Sequence, residues 1–190
     1  ALIPHIDEKK TSDKKALYKI APEFEKIGED LGIVNINDSQ PLAMASLKGK
    51  VVLVNFWTYS CINVLRTVPH IIEWNAKYAD KGLVIVGVHT PEFEFEKNID
   101  NLKTSLQKYG IKYPVIQDND YKIWNAYENN YWPRMYLVDP QGYIVYDKIG
   151  EGEYNQTEKA IQSLLAERNV NKEIENINLI NITQTTIQQS

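Results

Sequence analysis

A run from Val51 to Trp57, apolar but for Asn55, constrains this chain more than any other stretch. It has the length of one strand, is rich in valine and ends in two aromatic rings, a pattern that suits a strand buried on both faces. The run passes through Thr58-Tyr59-Ser60 into Cys61, the chain's single cysteine, where a helical pattern begins. A second apolar run, Leu83–Val88, follows that helix. Strand, helix and strand in this order predict a right-handed crossover between parallel strands. The crossover delivers a lone thiol to a helix start, where free N–H groups and the helix dipole favour a thiolate.

The helix is expected over Cys61–Ala79, with Cys61, Leu65, Val68, Ile72, Ala76 and Ala79 facing inward, a kink at Pro69 and a left-handed cap at Gly82. Further on, Pro91–Tyr109 reads as mostly helix, Tyr113–Ile116 as a short strand and Tyr121–Tyr127 as a short helix. Arg134–Val138 and Tyr143–Ile149 read as an antiparallel pair around Asp139-Pro140-Gln141-Gly142. Gln156–Arg168 reads as a terminal amphipathic helix, and Leu31–Ile36 as a short strand before the core. Three segments follow: a polar, lysine-rich arm over 1–20, one domain over 21–168, and a tail over 169–190 rich in Asn, Gln, Thr and Ile. The tail is expected to be a linker or an added edge strand. The start at Ala1-Leu2-Ile3-Pro4 is consistent with a removed leader or anchor.

Composition excludes several functions. A net charge of −4 and a pI near 5.5 argue against a nucleic-acid or anionic-membrane partner. The longest apolar runs have strand length, too short to cross a bilayer. One cysteine and three scattered histidines give neither an internal disulfide nor zinc-ligand spacing. Counted from Asp118, a calcium loop would need glycine where Ile123 stands and glutamate where Asn129 stands. Gly49-Lys50 lacks the rest of a P-loop, and no nucleotide, flavin or haem site is legible, so no cofactor and no metal is expected.

Read alone, Cys61 is either a buried small hydrophobe or an activated thiol, and its place at a strand-to-helix turn favours activation. Trp132-Pro133 precedes a strand; a cis bond there would expose the Trp132 backbone to an extended substrate. His89 and Glu92 end the second strand on the same sheet edge as Cys61. His89 is expected to be a hydrogen-bonded histidine rather than a base for Cys61. Glu92 is either a proton carrier or an ordinary helix-start acid.

From Ala21 to Leu165 the chain resembles the thioredoxin-fold thiol–disulfide oxidoreductases, above all the TlpA/ResA-like proteins and the soluble domain of DipZ-type proteins. The likeness is carried by Ala21-Pro22-Glu23-Phe24, Leu47-Lys48-Gly49-Lys50-Val51-Val52-Leu53-Val54, Phe56-Trp57-Thr58-Tyr59-Ser60-Cys61-Ile62-Asn63 and Arg66-Thr67. It continues through Gly87-Val88-His89-Thr90-Pro91-Glu92-Phe93, Asp118-Asn119-Asp120-Tyr121, Trp124-Asn125-Ala126-Tyr127, Tyr131-Trp132-Pro133 and Gly150-Glu151-Gly152. The resemblance implies an α/β, thioredoxin-like fold: a central mixed sheet, helices on both faces, and an insertion between the second core strand and the cis-proline strand.

It also implies that Cys61 is the nucleophile, Pro133 the cis-proline opposite it, and Trp57 the ring beneath the active-site loop. Thr58, Ser60, Glu92 and Trp132 are expected to support the site or its groove. Asn55 falls where thioredoxin carries a buried acid. Val64 stands where the family has its resolving cysteine, so the chain is expected to form a mixed disulfide but not to resolve it alone. Val64 is then either an engineered trap or the residue of a natural monothiol protein. Disulfide- or thiol-bearing proteins, including a membrane redox partner, are the expected partners of a monomer outside the cytoplasm. The alternatives are a one-cysteine peroxidase using Thr58-x-x-Cys61, although Val54 stands where that motif has proline, and a non-catalytic module binding at Trp132-Pro133.

Overall fold

The computed structural model describes Lys14, residues 16–24, Val34 and residues 42–188, with side chains as far as Ile177. β1 (Val51–Trp57) is buried at every position and forms the centre of a five-stranded sheet. β2 (Leu83–His89) pairs parallel to β1, and β3 (Val115–Gln117) pairs parallel to β2. On the other side, β4 (Arg134–Val138) runs antiparallel to β1 and β5 (Ile144–Ile149) antiparallel to β4. The sheet order is β3-β2-β1-β4-β5. The expected mixed sheet is therefore present, and the insertion after β2 supplies one of its edge strands.

Alternation along β1 builds two cores. Val51, Leu53 and Trp57 pack with Val64, Val68, Ile71 and Trp74 of α1 (Ile62–Tyr78), Leu102 and Leu106 of α2 (Ile99–Tyr109), and Ile161 and Leu165 of α4 (Tyr154–Gln188). Val52, Val54 and Phe56 pack on the opposite face with Phe24, Met44, and Ile123 and Trp124 of α3 (Lys122–Ala126). Burying a side chain such as Ile71 contributes roughly 1.5–3 kcal/mol.

Several element boundaries differ from those read in the sequence. The buried face of α1 is Val64, Thr67, Val68, Ile71, Trp74 and Tyr78, whereas Ala76 and Ala79 are exposed. The buried stripe lies about one residue earlier than the expected one, and Cys61 is the N-cap and not part of the helix. α1 runs through Pro69 as one helix. The stretch 91–109 divides into a short 3-10 turn, Glu94–Lys97, and α2. The division falls at Asn98, whose side-chain oxygen accepts the N–H groups of Asp100 (2.9 Å) and Asn101 (3.1 Å) and caps α2. The expected strand over Leu31–Ile36 lies outside the described residues except for Val34, whose N–H donates to the Val115 carbonyl at 2.9 Å.

The terminal helix is much longer than expected. It continues through 169–188 in place of a linker or edge strand. No glycine or proline interrupts the chain between Tyr154 and Gln188, so nothing local stops a helix once α4 has docked. Arg168 marks the end of docking: its guanidinium donates to the carbonyls of Gly49 (2.6 Å) and Lys81 (3.2 Å). Gly82 has φ +107°, and a Cβ there would lie 2.5 Å from the Arg168 guanidinium carbon. Gly82→Ala is therefore expected to lower stability by about 1–3 kcal/mol, measured by urea unfolding.

Ahead of the sheet, Lys14 pairs with Asp139 (3.0 Å) and Glu167 (2.9 Å), and Ile20 bridges to Tyr143. Among the described residues no helix is long and apolar enough to cross a membrane.

Candidate active site

The C-terminal ends of β1 and β2 and the N-terminal end of β4 share one sheet edge. The β1–β4 register closes at Phe56 and Arg134, the residues next to Trp57 on one strand and to Pro133 on the other. Three loops meet at this edge: Thr58–Cys61 after β1, Thr90–Lys97 after β2, and Tyr131–Pro133 before β4.

Cys61 is partly exposed at the N-cap of α1, in extended backbone conformation, and α1 has no acidic residue in its first turn. Its carbonyl accepts the Leu65 N–H at 3.0 Å, closing the first helical turn. Val64 is fully buried in the core beneath. The pair therefore presents one thiol at the rim and an apolar branch below it. Trp57 is also fully buried, with its ring edge-on to His89 at 5.3 Å. Asn55 is buried as well, and neither its amide nitrogen nor its oxygen has a hydrogen-bond partner.

The residue that holds the loop together is Glu96, which the sequence reading did not single out. It is completely buried. Its Oε1 accepts the Thr58 hydroxyl, the Ser60 hydroxyl (2.5 Å) and the Ser60 N–H (3.3 Å). Its Oε2 accepts the N–H groups of Glu92 (2.6 Å) and Phe93 (2.9 Å). Burial by itself would push this carboxyl up, but the Ser60 and Thr58 hydroxyls and the Phe93 and Glu92 N–H groups outweigh it and hold it below the usual range. Glu96 is thus an anion that ties the cysteine loop to the loop after β2. In sequence it is one of three alternating acids, Glu92, Glu94 and Glu96, and only the 3-10 turn before Asn98 turns the third inward.

The other candidates divide between this network and the loop before β4. The Glu92 side chain is exposed and only its backbone joins this network. Thr58 is buried and its hydroxyl is committed to Glu96, so it is not presented to a peroxide at Cys61. Trp132 packs on Trp124 (ring centroids 4.2 Å) and donates its indole N–H to the Thr90 carbonyl at 3.0 Å. The Trp132–Pro133 peptide bond is cis. Asp118 accepts the N–H groups of Ile123 (3.0 Å) and Trp124 (2.9 Å) and the Thr90 hydroxyl (3.2 Å), closing the start of α3.

His89 is fully buried between Tyr59 and Trp57, with Nε2 3.5 Å from the Thr58 hydroxyl oxygen. Desolvation lowers its pKa to about 4, against a smaller opposing pull from Glu96. A folded-state pKa below the unfolded 6.5 means that the unfolded chain takes up more protons between those values. Stability is therefore expected to fall by about 3 kcal/mol as pH drops from roughly 6.5 toward 4. Urea unfolding across that range should show the slope, and His89→Asn should flatten it.

The fold and this edge define a thioredoxin-like protein, and comparison with known proteins agrees. The thioredoxin-like family model matches residues 49–144, and the chain belongs to that family. It is 45% identical to the protein DipZ of Mycobacterium bovis over 145 residues, covering 76% of this chain and 20% of that protein. The chain thus spans about a fifth of the length of that relative. It is 30% identical to the thiol-disulfide oxidoreductase YkuV of Bacillus subtilis, over 62% of this chain and 79% of YkuV. It is 29% identical to the thiol-disulfide oxidoreductase ResA of Bacillus cereus, over 80% of each. Among solved structures, a thioredoxin-like protein in its oxidised form aligns with a TM-score of 0.68 at 28% identity, covering 79% of this chain and 97% of that one.

Proposed function

We propose that this chain is a thiol–disulfide oxidoreductase that acts on protein disulfides through Cys61. The Cys61 thiolate attacks one sulfur of a partner disulfide. A bond from Cys61 to that sulfur forms, the partner's S–S bond breaks, and the departing thiolate takes up a proton. Val64 offers no second thiol, so the mixed disulfide persists until an outside thiol attacks it. The observation that carries this reading is the contrast at the start of α1: a partly exposed Cys61 thiol above a fully buried Val64. Homology to thiol–disulfide oxidoreductases supports the chemistry. We place the exchange outside the cytoplasm, with a membrane redox protein as one source of the releasing thiol, on the resemblance to DipZ-type and ResA-like proteins.

Mixing the reduced protein with a disulfide-bearing peptide is expected to give a stable adduct at Cys61, seen by mass spectrometry, with no adduct for Cys61→Ser. A wild-type Cys61 that stays free in excess disulfide overturns the reading.

A further inference from the structure

Beside the cysteine loop the molecule exposes apolar rings that it holds in place. Phe93 and Phe95, from the loop after β2, are 52% and 54% exposed, and their rings stack at 5.8 Å. Phe95 lies against Tyr59 at 6.2 Å, and Tyr59 stacks on the buried His89 at 5.3 Å. The rings form a ladder from solvent to the core, passing the residue two positions before Cys61.

The backbone beneath the outer rings is fixed at several points. The Phe93 N–H donates to the buried Glu96, and the Phe95 carbonyl accepts the Tyr59 hydroxyl (3.0 Å) and the Asn101 amide (3.2 Å). Exposing two phenylalanines costs solubility and does little for folding. Pre-organised aromatic surface beside a reactive centre is what recognition uses, because rigid rings lose little entropy on binding.

We propose that Phe93, Phe95 and Tyr59 form a docking platform for the polypeptide that reacts with Cys61, and that they take a bulky apolar side chain close to its cysteine. This rests on the exchange reaction proposed above. Tyr59 stands in the cysteine loop itself, two residues before Cys61, so the occupant is the disulfide-bearing chain, in an extended segment. The neighbouring charges add a preference. Glu94 is neutralised by Lys97 at 2.7 Å, whereas exposed Glu92 has no ion-pair partner among the described residues. A segment carrying a lysine or arginine beside its apolar residue fits this edge better than an acidic one.

The test compares rates of mixed-disulfide formation at Cys61. The probes are symmetric disulfides of short peptides whose cysteine is flanked by Phe and Lys, or by Ser and Glu, together with hydroxyethyl disulfide. Wild type is expected to react about tenfold or more faster with the Phe/Lys peptide than with the Ser/Glu peptide. In Phe93→Ser/Phe95→Ser that ratio should fall to the part due to lysine, and adding Glu92→Lys should bring it toward one. A ratio is read because it cancels any general change in thiol reactivity. Both phenylalanines lie outside the core, and a thermal melt checks that the variant is folded.

Equal rates for the two peptides in wild type, or a ratio unchanged in the double variant, overturns the platform. Wild type that also ignores hydroxyethyl disulfide overturns the exchange reading itself. A wild-type dimer that the double variant abolishes, with no peptide preference, assigns the surface to a second copy of the chain and overturns the proposal.

Discussion

On the exchange proposed for Cys61, Val64→Cys is expected to add turnover to a reaction that would otherwise halt at the mixed disulfide. Cys61 caps α1 and residue 64 lies in its first turn. The side chain of an N-cap residue faces the third helical residue, the pairing used in a capping box, and small adjustment brings two sulfurs into bonding range. A thiol at 64 would attack Cys61, release the partner's second thiol and leave an intramolecular bridge. Because this thiol is tethered, its effective concentration is at least on the order of millimolar, against micromolar thiol in the assay. Insulin reduction with a dithiol regenerant should accelerate by roughly 10²-fold or more over the parent chain.

The structural cost is small. Residue 64 is fully buried, so the smaller cysteine removes some packing, about 0.5–1.5 kcal/mol. The bond from the Thr67 hydroxyl to the residue-64 carbonyl (2.7 Å) involves only backbone on that side and survives. Cys61→Ser in the same background should abolish the gain. A folded Val64→Cys protein that forms the bridge yet shows no turnover would remove the resolving role from position 64.

How much of this was legible in the sequence depended on how local the cause was. β1 announced itself because every one of its seven residues is buried, which demands a sheet covered on both sides. Cys61 and Val64 were legible because their spacing is fixed by the helix start. Pro133 opposite Cys61 was an expectation of the family likeness alone, and the β1–β4 register closes one residue short of it, at Phe56 and Arg134. The inward face of α1 was misplaced because nothing in the sequence says whether Cys61 counts as helix or cap. The tail misled because Thr and Ile favour strands only weakly and Asn does not favour them at all, while the helix it extends is docked through Leu165 and Arg168. Glu96 was invisible for a different reason. Its role depends on a 3-10 turn that ends at Asn98, and on donors from residues 58 and 60, more than thirty positions earlier.

That dependence makes Glu96 the residue whose loss should do most damage to the site. Glu96→Ala removes the acceptor for the Thr58 and Ser60 hydroxyls and for the N–H groups of Ser60, Glu92 and Phe93. Donors left unpaired in buried surroundings cost about 1–3 kcal/mol each, and water can reach only some of these, so a loss of roughly 3–5 kcal/mol is expected. Glu96→Gln should be nearly as damaging. An amide keeps the shape, but it offers one accepting oxygen and points its NH2 at donors that already need an acceptor.

The pH dependence separates this from a simple packing defect. The folded carboxyl lies below its ordinary 4.5, so its contribution is complete above that value and disappears as pH falls through the folded pKa. Urea unfolding should therefore show a wide gap between wild type and Glu96→Gln at pH 7 that narrows below about pH 4. The His89 effect lies in a different window, between roughly 6.5 and 4, and should be present in both proteins. A gap that stays constant down to pH 3 would mean that the ionised form of Glu96 does not hold the loop.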